Sequence, residues 1–406
     1  MSGPLSHVRV LDLSRVLAGP WAGQMLADLG AEVIKVERPG QGDDTRGWGP
    51  PFMKDAEGND TSEAAYFMSA NRGKRSVTID FTKAEGQALV RDLAAKADVV
   101  IENFKVGGLK KYGLDYASLK AVNPSLVYCS ITGFGQDGPY AHRAGYDFMI
   151  QGMGGLMSLT GAPDTAPGGE PMKVGVAITD IFTGMYATSA IQAALIHKER
   201  TGEGQHIDMA LLDVQVATLA NQAMNYLASG VAPKRLGNSH PNIVPYQAFP
   251  TADGYIILAV GNDGQFQRFC KVAGLTDVAA DPRFATNASR VGNREVLVPM
   301  VAEAIRTRPS ADWLSALEAE GVPCGPINTL DQVFADPQIV HRGMKVSVPH
   351  PLAGTVDLVA SPMRFSGTPV EYDRAPPTLG QDTDSVLGGL GLDAERLADL
   401  REKGII

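Results

Sequence analysis

Residues 8–36 read VRVLDLSRVLAGPWAGQMLADLGAEVIKV. Two apolar runs of strand length, Val8–Leu13 and Ala31–Val36, flank a stretch in which Trp21, Met25, Leu26 and Leu29 recur at helical spacing. Gly30 stops that helix. A strand, a helix and a strand of this length predict a parallel strand pair, and with it an α/β fold. The first strand is not followed by G-x-G-x-x-G, so a nicotinamide dehydrogenase loses its main support.

Downstream the pattern repeats. Ser76–Asp80, Asp98–Glu102 and Leu126–Ile131 read as strands, and Lys83–Ala95 as a helix. Loops at carboxyl ends of parallel strands are where open α/β sheets bind ligands. Here they carry cations: Arg38 and Arg46 after the second strand, Lys110 and Lys111 beyond Asn103-Phe104, and the basic cluster Asn71–Arg75 ahead of the third. Such clusters are either solvated turns or phosphate sites. Further on, the short apolar run Val174–Ile178 reads as a strand that ends at Thr179-Asp180, and Ile181, Met185, Thr188, Ile191 and Leu195 then mark one face of a helix. Asp180 therefore sits at a helix start. Two readings stay open there, an N-cap and a nucleophilic carboxylate held ionised near the positive helix end.

Met209–Ala228 reads as one long helical stretch. The turn-rich segment Pro233–Pro245 marks entry into a second unit, with a strand at Ile256–Val260 and helices around 264–272, 294–307 and 310–320. Residues 355–370 look β-like, and two short helices close the chain near 382–389 and 393–402.

Composition narrows the function classes. A chain of 406 residues exceeds one core. A net charge of −9 with interleaved signs argues against general nucleic-acid or anionic-membrane binding. Cys129, Cys270 and Cys324 are odd in number and scattered, and the histidines lack H-E-x-x-H spacing, so no disulfide framework and no metal site is expected. The start MSGPLSHVRV has no apolar signal core and no run is long enough to span a membrane, which predicts a reduced, cytoplasmic enzyme.

Several blocks together resemble a known family. They are VLDLSRVLAGPWAGQMLADLGAEVIKVERPGQGDDTR (10–46), NRGKRSV (71–77), ADVVIENF (97–104), GFGQDGPYAHRAGYD (133–147), GGLMSLTG (154–161) and Asp180–Gly184. In order and content they resemble the class III coenzyme A transferases, the formyl-CoA and carnitine-CoA transferase family, from Val8 to about Leu400. The resemblance implies a Rossmann-like large domain with a parallel sheet built from both chain ends, about 1–205 plus 345–406. It implies a smaller α+β domain, about 225–325, linkers at about 206–224 and 326–344, and an interlocked homodimer.

The same resemblance implies site residues. Asp180 aligns with the family nucleophile. Coenzyme A contacts map onto Val16, Ala18, Arg38, Ile79, Asn103, Phe104 and Lys111, with Arg38 and Lys111 as phosphate partners and Phe104 as a stacking wall. Tyr146 and Asp147 align with further active-site positions. Coenzyme A would be a substrate, with no permanently bound cofactor. The segment GNSHP (237–241) stands where the formyl enzyme has a glycine loop, which makes Asn238 and His240 candidates for the acyl pocket. The expected reaction moves CoA from succinyl-CoA to a short dicarboxylate, glutarate first. The free carboxylate of such a substrate requires a cation, and Arg46 or His240 is favoured over Arg143 and Arg235. Two alternatives compete. An acyl-CoA racemase of the same fold uses a histidine base in an A-G-H-D block, but this chain has Tyr146 there, a poor base near neutral pH. A non-catalytic acyl-CoA-binding protein would not need Asp180.

Overall fold

Successive side chains of β1 (Arg9–Asp12) point to opposite faces, and both faces are covered: Val10 and Leu11 are buried in different cores. The computed structural model, which describes residues 3–406, extends this strand into a six-stranded, all-parallel sheet. Helix α1 (Ala18–Asp28) joins β1 to β2 (Glu32–Glu37), and β3 is Lys74–Thr78. Helix α2 (Ala84–Ala95) leads to β4 (Val99–Glu102), followed by β5 (Val127–Thr132). Helices α3 (Asp147–Met153) and α4 (Ile178–Thr201) precede β6 (His206–Ala210), and α5 (Leu211–Ala217) follows at once. The strand order is β3-β2-β1-β4-β5-β6. Chain direction across the sheet reverses between β1 and β4, the place where such sheets open a ligand crevice beyond their carboxyl ends.

On one face Val10, Val33, Val99 and Val127 pack with Leu26 of α1 and Ile191 of α4. On the other, Leu11, Ile34, Val100 and Tyr128 pack with Leu89 and Leu93 of α2. Leu387, Leu397 and Leu400, from the terminal helices Thr383–Gly388 and Ala394–Glu402, join this second core. The end of the chain thus completes a core that its beginning opens.

The chain divides into two compact units. One holds the chain through Gly155 together with Val174–Ala223 and Pro337–Ile406; the other holds Leu156–Lys173 and Met224–Asp336. Residues 156–173, grouped above with the large domain, cluster with the second unit. There Gly237 N–H donates to Gly161 O at 3.1 Å, and Arg235 Nε donates to Ala162 O at 3.2 Å. The second unit contains a three-stranded antiparallel sheet with Tyr255–Ala259 between Tyr246–Pro250 and Cys324–Pro326. Its buried Ile256 and Leu258 pack on Phe266, Phe269, Val301 and Trp313 from helices Asp263–Ala273, Arg294–Ile305 and Ser310–Ala319.

Three local expectations are corrected. The run Val174–Ile178 forms no strand: Val174 N–H bonds to the Gln151 side chain, Ile178 N–H bonds to Val176 O, and α4 has begun by Ile178. Met209–Ala228 is not one helix, because Met209 and Ala210 pair with Ile131 and Thr132 in the sheet. The helical remainder breaks into Leu211–Ala217 and Ala220–Ser229 at Ala220, whose φ is +46°. The β structure expected over 355–370 ends at Val359, in a hairpin of Lys345–His350 with Gly354–Val359. Pro362 and Pro369 beyond it have no N–H to give a ladder. Among the described residues no helix is long and apolar enough to cross a membrane.

Candidate active site

Loops or helix starts beyond the carboxyl end of every strand of the parallel sheet line one crevice of ≈ 710 Å³, a size suited to a small molecule or cofactor. Val16, Ala18, Arg38, Ile79, Asn103, Phe104, Lys111, Tyr146 and Asp180 all line it. Asp147 and Arg46 do not, and Asn238 and His240 belong to the other unit.

A buried ionic layer fixes these loops. Lys74 has no exposed surface; its Nζ donates to Asp12 Oδ2 at 2.9 Å, Asn71 Oδ1 at 2.9 Å and Pro20 O at 2.8 Å. All its ammonium hydrogens are thereby placed. Burial still pulls its pKa down, with Asp12 opposing, to about 8. Lys35, equally buried, donates to Ser14 O and pairs with Asp43 Oδ2, both at 2.8 Å. Burial would raise the Asp43 carboxyl, but the Lys35 charge and hydrogen bonds from Lys35 and Thr45 outweigh it and bring the pKa to about 2. Glu37 accepts two bonds of 2.7 Å from Arg46.

Arg46 corrects an expectation. It is 7% exposed, pairs with both Glu37 and Glu63, and stands 3.7 Å over the Phe67 ring. Its charge is spent inside the protein and is not offered to a substrate. The G-D-D-T-R segment, polar in composition, folds back as a short 3₁₀ turn, Asp44–Gly47, capped by Asp43.

Asp43 also accepts the N–H of Val16, which holds φ at +71°. That conformation is strained for a β-branched residue and persists because its neighbours are tied as well. Arg15 N–H donates to Asn103 Oδ1 at 2.9 Å, and Asn103 Nδ2 donates back to Arg15 O at 2.7 Å. Asn103 therefore shapes the Arg15-Val16 turn with its side-chain amide. Phe104 meets Phe81 edge-on at 5.7 Å, and Phe81 meets Tyr112 at 5.6 Å, giving an aromatic wall. Arg38 bonds to Gln41, and Lys111 lies 4.7 Å from the Tyr112 ring; among the described residues neither has a carboxylate partner within ion-pair distance. Glu102 escaped the sequence reading. Its Oε2 accepts the Phe104 N–H at 2.8 Å, and burial pushes its carboxyl up to about 7. The signal was present, a charged residue closing an otherwise apolar strand.

Asp180 is the third residue of α4 and not its cap: Ala177 occupies the N-cap position and supplies no side-chain bond. The cap comes from α3. Asp147 Oδ1 accepts the N–H groups of Thr179 at 2.8 Å and Asp180 at 3.3 Å, and Asp147 Oδ2 accepts from Gln151 Nε2 at 2.7 Å. Thr179 Oγ1 donates to Gln215 Oε1 of α5 at 2.6 Å. One turn along α4, Gly184 lets α1 approach, since a Cβ there would lie 2.7 Å from Ala18 O. Desolvation first, and the neighbouring Asp147 charge second, push the Asp180 carboxyl up to about 7. Burial therefore works against the reading of a carboxylate held ionised. The Tyr66 phenol, raised by burial and then by Asp180, completes the surroundings.

Tyr146, 67% exposed, stands directly before α3. Its loop is pinned by a backbone crossing: a Cβ on Gly133 would lie 2.5 Å from Gly145 Cα, and one on Gly145 would collide with Gly133 in return. Arg143 lines the crevice from the same loop and lies over the Phe134 and Tyr140 rings at 5.1 and 4.7 Å. In the second unit Asn238 is exposed, His240 accepts the Asn242 N–H at its Nδ1 and packs on Tyr246, and Arg235 pairs with Asp164.

Comparison with known proteins identifies relatives over nearly the whole chain. A family model described as CoA-transferase family III matches residues 5–383. A succinate–glutarate CoA-transferase of Agrobacterium fabrum is 58% identical over 387 residues, covering 95% of this chain and 96% of that protein. A succinyl-CoA:glutarate CoA-transferase of Homo sapiens is 43% identical, with 99% of this chain and 90% of the relative covered. The crystal structure of a CAIB/BAIF family protein from Brucella suis, 56% identical, superposes with a TM-score of 0.84 over 96% of this chain and 100% of that one.

Proposed function

The chain belongs to CoA-transferase family III, and from that premise we propose that this CoA-transferring enzyme carries CoA from succinyl-CoA to a short dicarboxylate, glutarate first, with Asp180 as its nucleophile. The observation that carries the reading is Asp180 itself, a largely desolvated carboxylate on the wall of a crevice formed by the strand-end loops.

An Asp180 oxygen attacks the thioester carbonyl, the C–S bond breaks, and a mixed acyl–aspartyl anhydride and CoA thiolate result. The thiolate attacks the aspartyl carbonyl, which releases the donor acid as its carboxylate and leaves an aspartyl–CoA thioester. The acceptor carboxylate attacks the aspartyl carbonyl of that thioester, the C–S bond breaks, and a second anhydride, acceptor–aspartyl, and CoA thiolate result; the thiolate then attacks the acceptor's acyl carbonyl, which forms the new acyl-CoA and frees the Asp180 carboxylate. Splitting one exchange into covalent steps is what a fixed carboxylate contributes. Arg38 and Lys111, cations on the crevice wall, would meet CoA phosphates, and Phe104 with Phe81 would face the apolar parts of the cofactor arm. Tyr146 in place of a histidine base disfavours racemisation.

A dicarboxylate leaves one charge free after acylation, and a desolvated charge needs a partner. With Arg46 committed elsewhere, Arg143, on the loop that leads through Tyr146 into α3, is a cation available on the crevice wall. Unpartnered apolar surface favours a homodimer, interlocked as in the family. Helix Ala220–Ser229 has no buried residue and exposes Met224, Tyr226 and Leu227, the last at 70%; helix Leu330–Ala335 likewise exposes Leu330 at 77%.

Five outcomes are expected. Asp180→Asn should lower transfer by about a thousandfold or more. Acid-quenched wild-type enzyme with succinyl-CoA should show added mass on the peptide containing Asp180; substantial steady-state transfer by Asp180→Ala would refute the assignment. Arg38→Ala and Lys111→Ala should each raise the KM for succinyl-CoA about tenfold with kcat less affected, and an unchanged KM in both would contradict the phosphate placement. Glutarate should exceed butyrate as acceptor by about a hundredfold in kcat/KM, because butyrate leaves the site's polar groups unpaired; equal use of the two removes the dicarboxylate reading and leaves CoA transfer standing. Sedimentation at micromolar concentration should give a dimer, and a stable active monomer would exclude the interlocked form.

A further inference from the structure

The fold holds two acids against one helix end. Asp147, the first residue of α3, bonds the backbone N–H groups of Thr179 and Asp180, and Gln151, itself fully buried, tethers its other oxygen. We propose that Asp147 is a positioning residue that holds the Asp180 carboxylate in a like-charge contact which acylation relieves, so that the enzyme favours its own covalent intermediates. The inference rests on Asp180 being the nucleophile.

Geometry brings the Asp147 carboxylate to the backbone of Asp180 itself, 3.3 Å from its N–H nitrogen. The N–H groups at a helix start attract a carboxylate, and here Asp147 takes two of them. Asp180 is left with the cost of desolvation and with the charge of its neighbour. Few groups offset it. Titratable Tyr66 is the other side chain coupled to this charge, the facing turn of α1 offers Ala18 and Trp21, and α5 offers Leu211 and Gln215. Tyr146 and the Arg143 guanidinium come from the loop before α3. Asp147 accepts three N–H bonds and donates none, as a carboxylate does.

The charge balance then sets the energetics. When Asp180 attacks the thioester carbon, its negative charge passes through the tetrahedral oxyanion to the departing CoA sulfur. In the anhydride, and again in the aspartyl–CoA thioester, the Asp180 side chain is neutral. The repulsion from Asp147 is present only before attack and after release. It raises the starting state and the basicity of the nucleophile, while the covalent intermediates escape it.

The test compares wild type with Asp147→Asn and Asp147→Ala in kcat/KM for succinyl-CoA against pH. The wild-type profile should lose activity as pH falls through about 7, where Asp180 takes up its proton. Asp147→Asn keeps an oxygen to accept the two N–H groups and loses the charge. Its acid limb should move down by about one pH unit or more, and its plateau above pH 8 should fall by about three- to tenfold, one unit of pKa being tenfold in equilibrium. Asp147→Ala loses the cap as well and should be slower than Asp147→Asn throughout. A role in folding alone would lower the profile without moving its limb, and an unmoved limb in Asp147→Asn overturns the inference. Should that variant fail to fold, the wild-type limb decides: a limb below about pH 5, the ordinary carboxylate range, overturns it equally. Mass on the Asp180 peptide of quenched wild-type enzyme is read in parallel, so the loss of the nucleophile reading is distinguished from the loss of this one.

Discussion

Lys35 and Lys74, neither with any exposed surface, hold the crevice side of the sheet together. Each ties a strand to something beyond its own hydrogen-bond ladder: Lys74 on β3 reaches Asp12 on β1, and Lys35 on β2 reaches the Asp43 loop. Breaking one such pair leaves a charge buried without compensation, which costs roughly 3–5 kcal/mol, so the layer has little room to loosen. Its geometry passes outward. Asp43 fixes the N–H of Val16, Glu37 fixes Arg46, and through these the first two loops of the crevice take one shape. The strained Val16 backbone is stable for the same reason, because everything around it is already bonded.

At the other end of the crevice the logic is electrostatic in a different sense. The ionic layer pairs opposite charges, whereas α3 and α4 bring like charges together. A fold that neutralises Arg46 with two glutamates has the means to neutralise Asp180, and does not. The same rule of burial gives opposite results: desolvation is overcome at Asp43 by a lysine, and is reinforced at Asp180 by an aspartate.

Much of this was legible in the chain. Periodicity alone predicts the parallel unit of residues 8–36, because a strand buried on both faces and a helix with one apolar stripe leave distinct signatures. It also placed Asp180 at a helix start. What it missed is long-range. Nothing near Asp180 states that its helix would be capped from Asp147, more than thirty residues away. The G-D-D-T-R segment has the composition of a surface loop, and only Glu37 and Glu63, brought in by the fold, turn Arg46 inward. Met209-Ala210 has helical neighbours and becomes sheet because β5 offers it an edge to pair with. Resemblance to a family supplied the crevice residues; the role of Glu102, whose oxygen fixes Phe104, depends on a contact that only the fold creates.

The crossing of Gly133 and Gly145 separates two properties that are usually entangled. Backbone lies on backbone there, so position 145 is closed to any side chain. Position 146, next along, is exposed on the crevice wall, and position 147 is locked to the start of the helix that carries Asp180. A change of side chain at 146 alters what reaches the crevice and leaves the support of Asp180 where it was. The loop behaves as a fixed bracket with one exposed fitting, a tyrosine in this chain. The crevice wall can therefore vary at this one position without first rebuilding the scaffold that holds Asp180 in place.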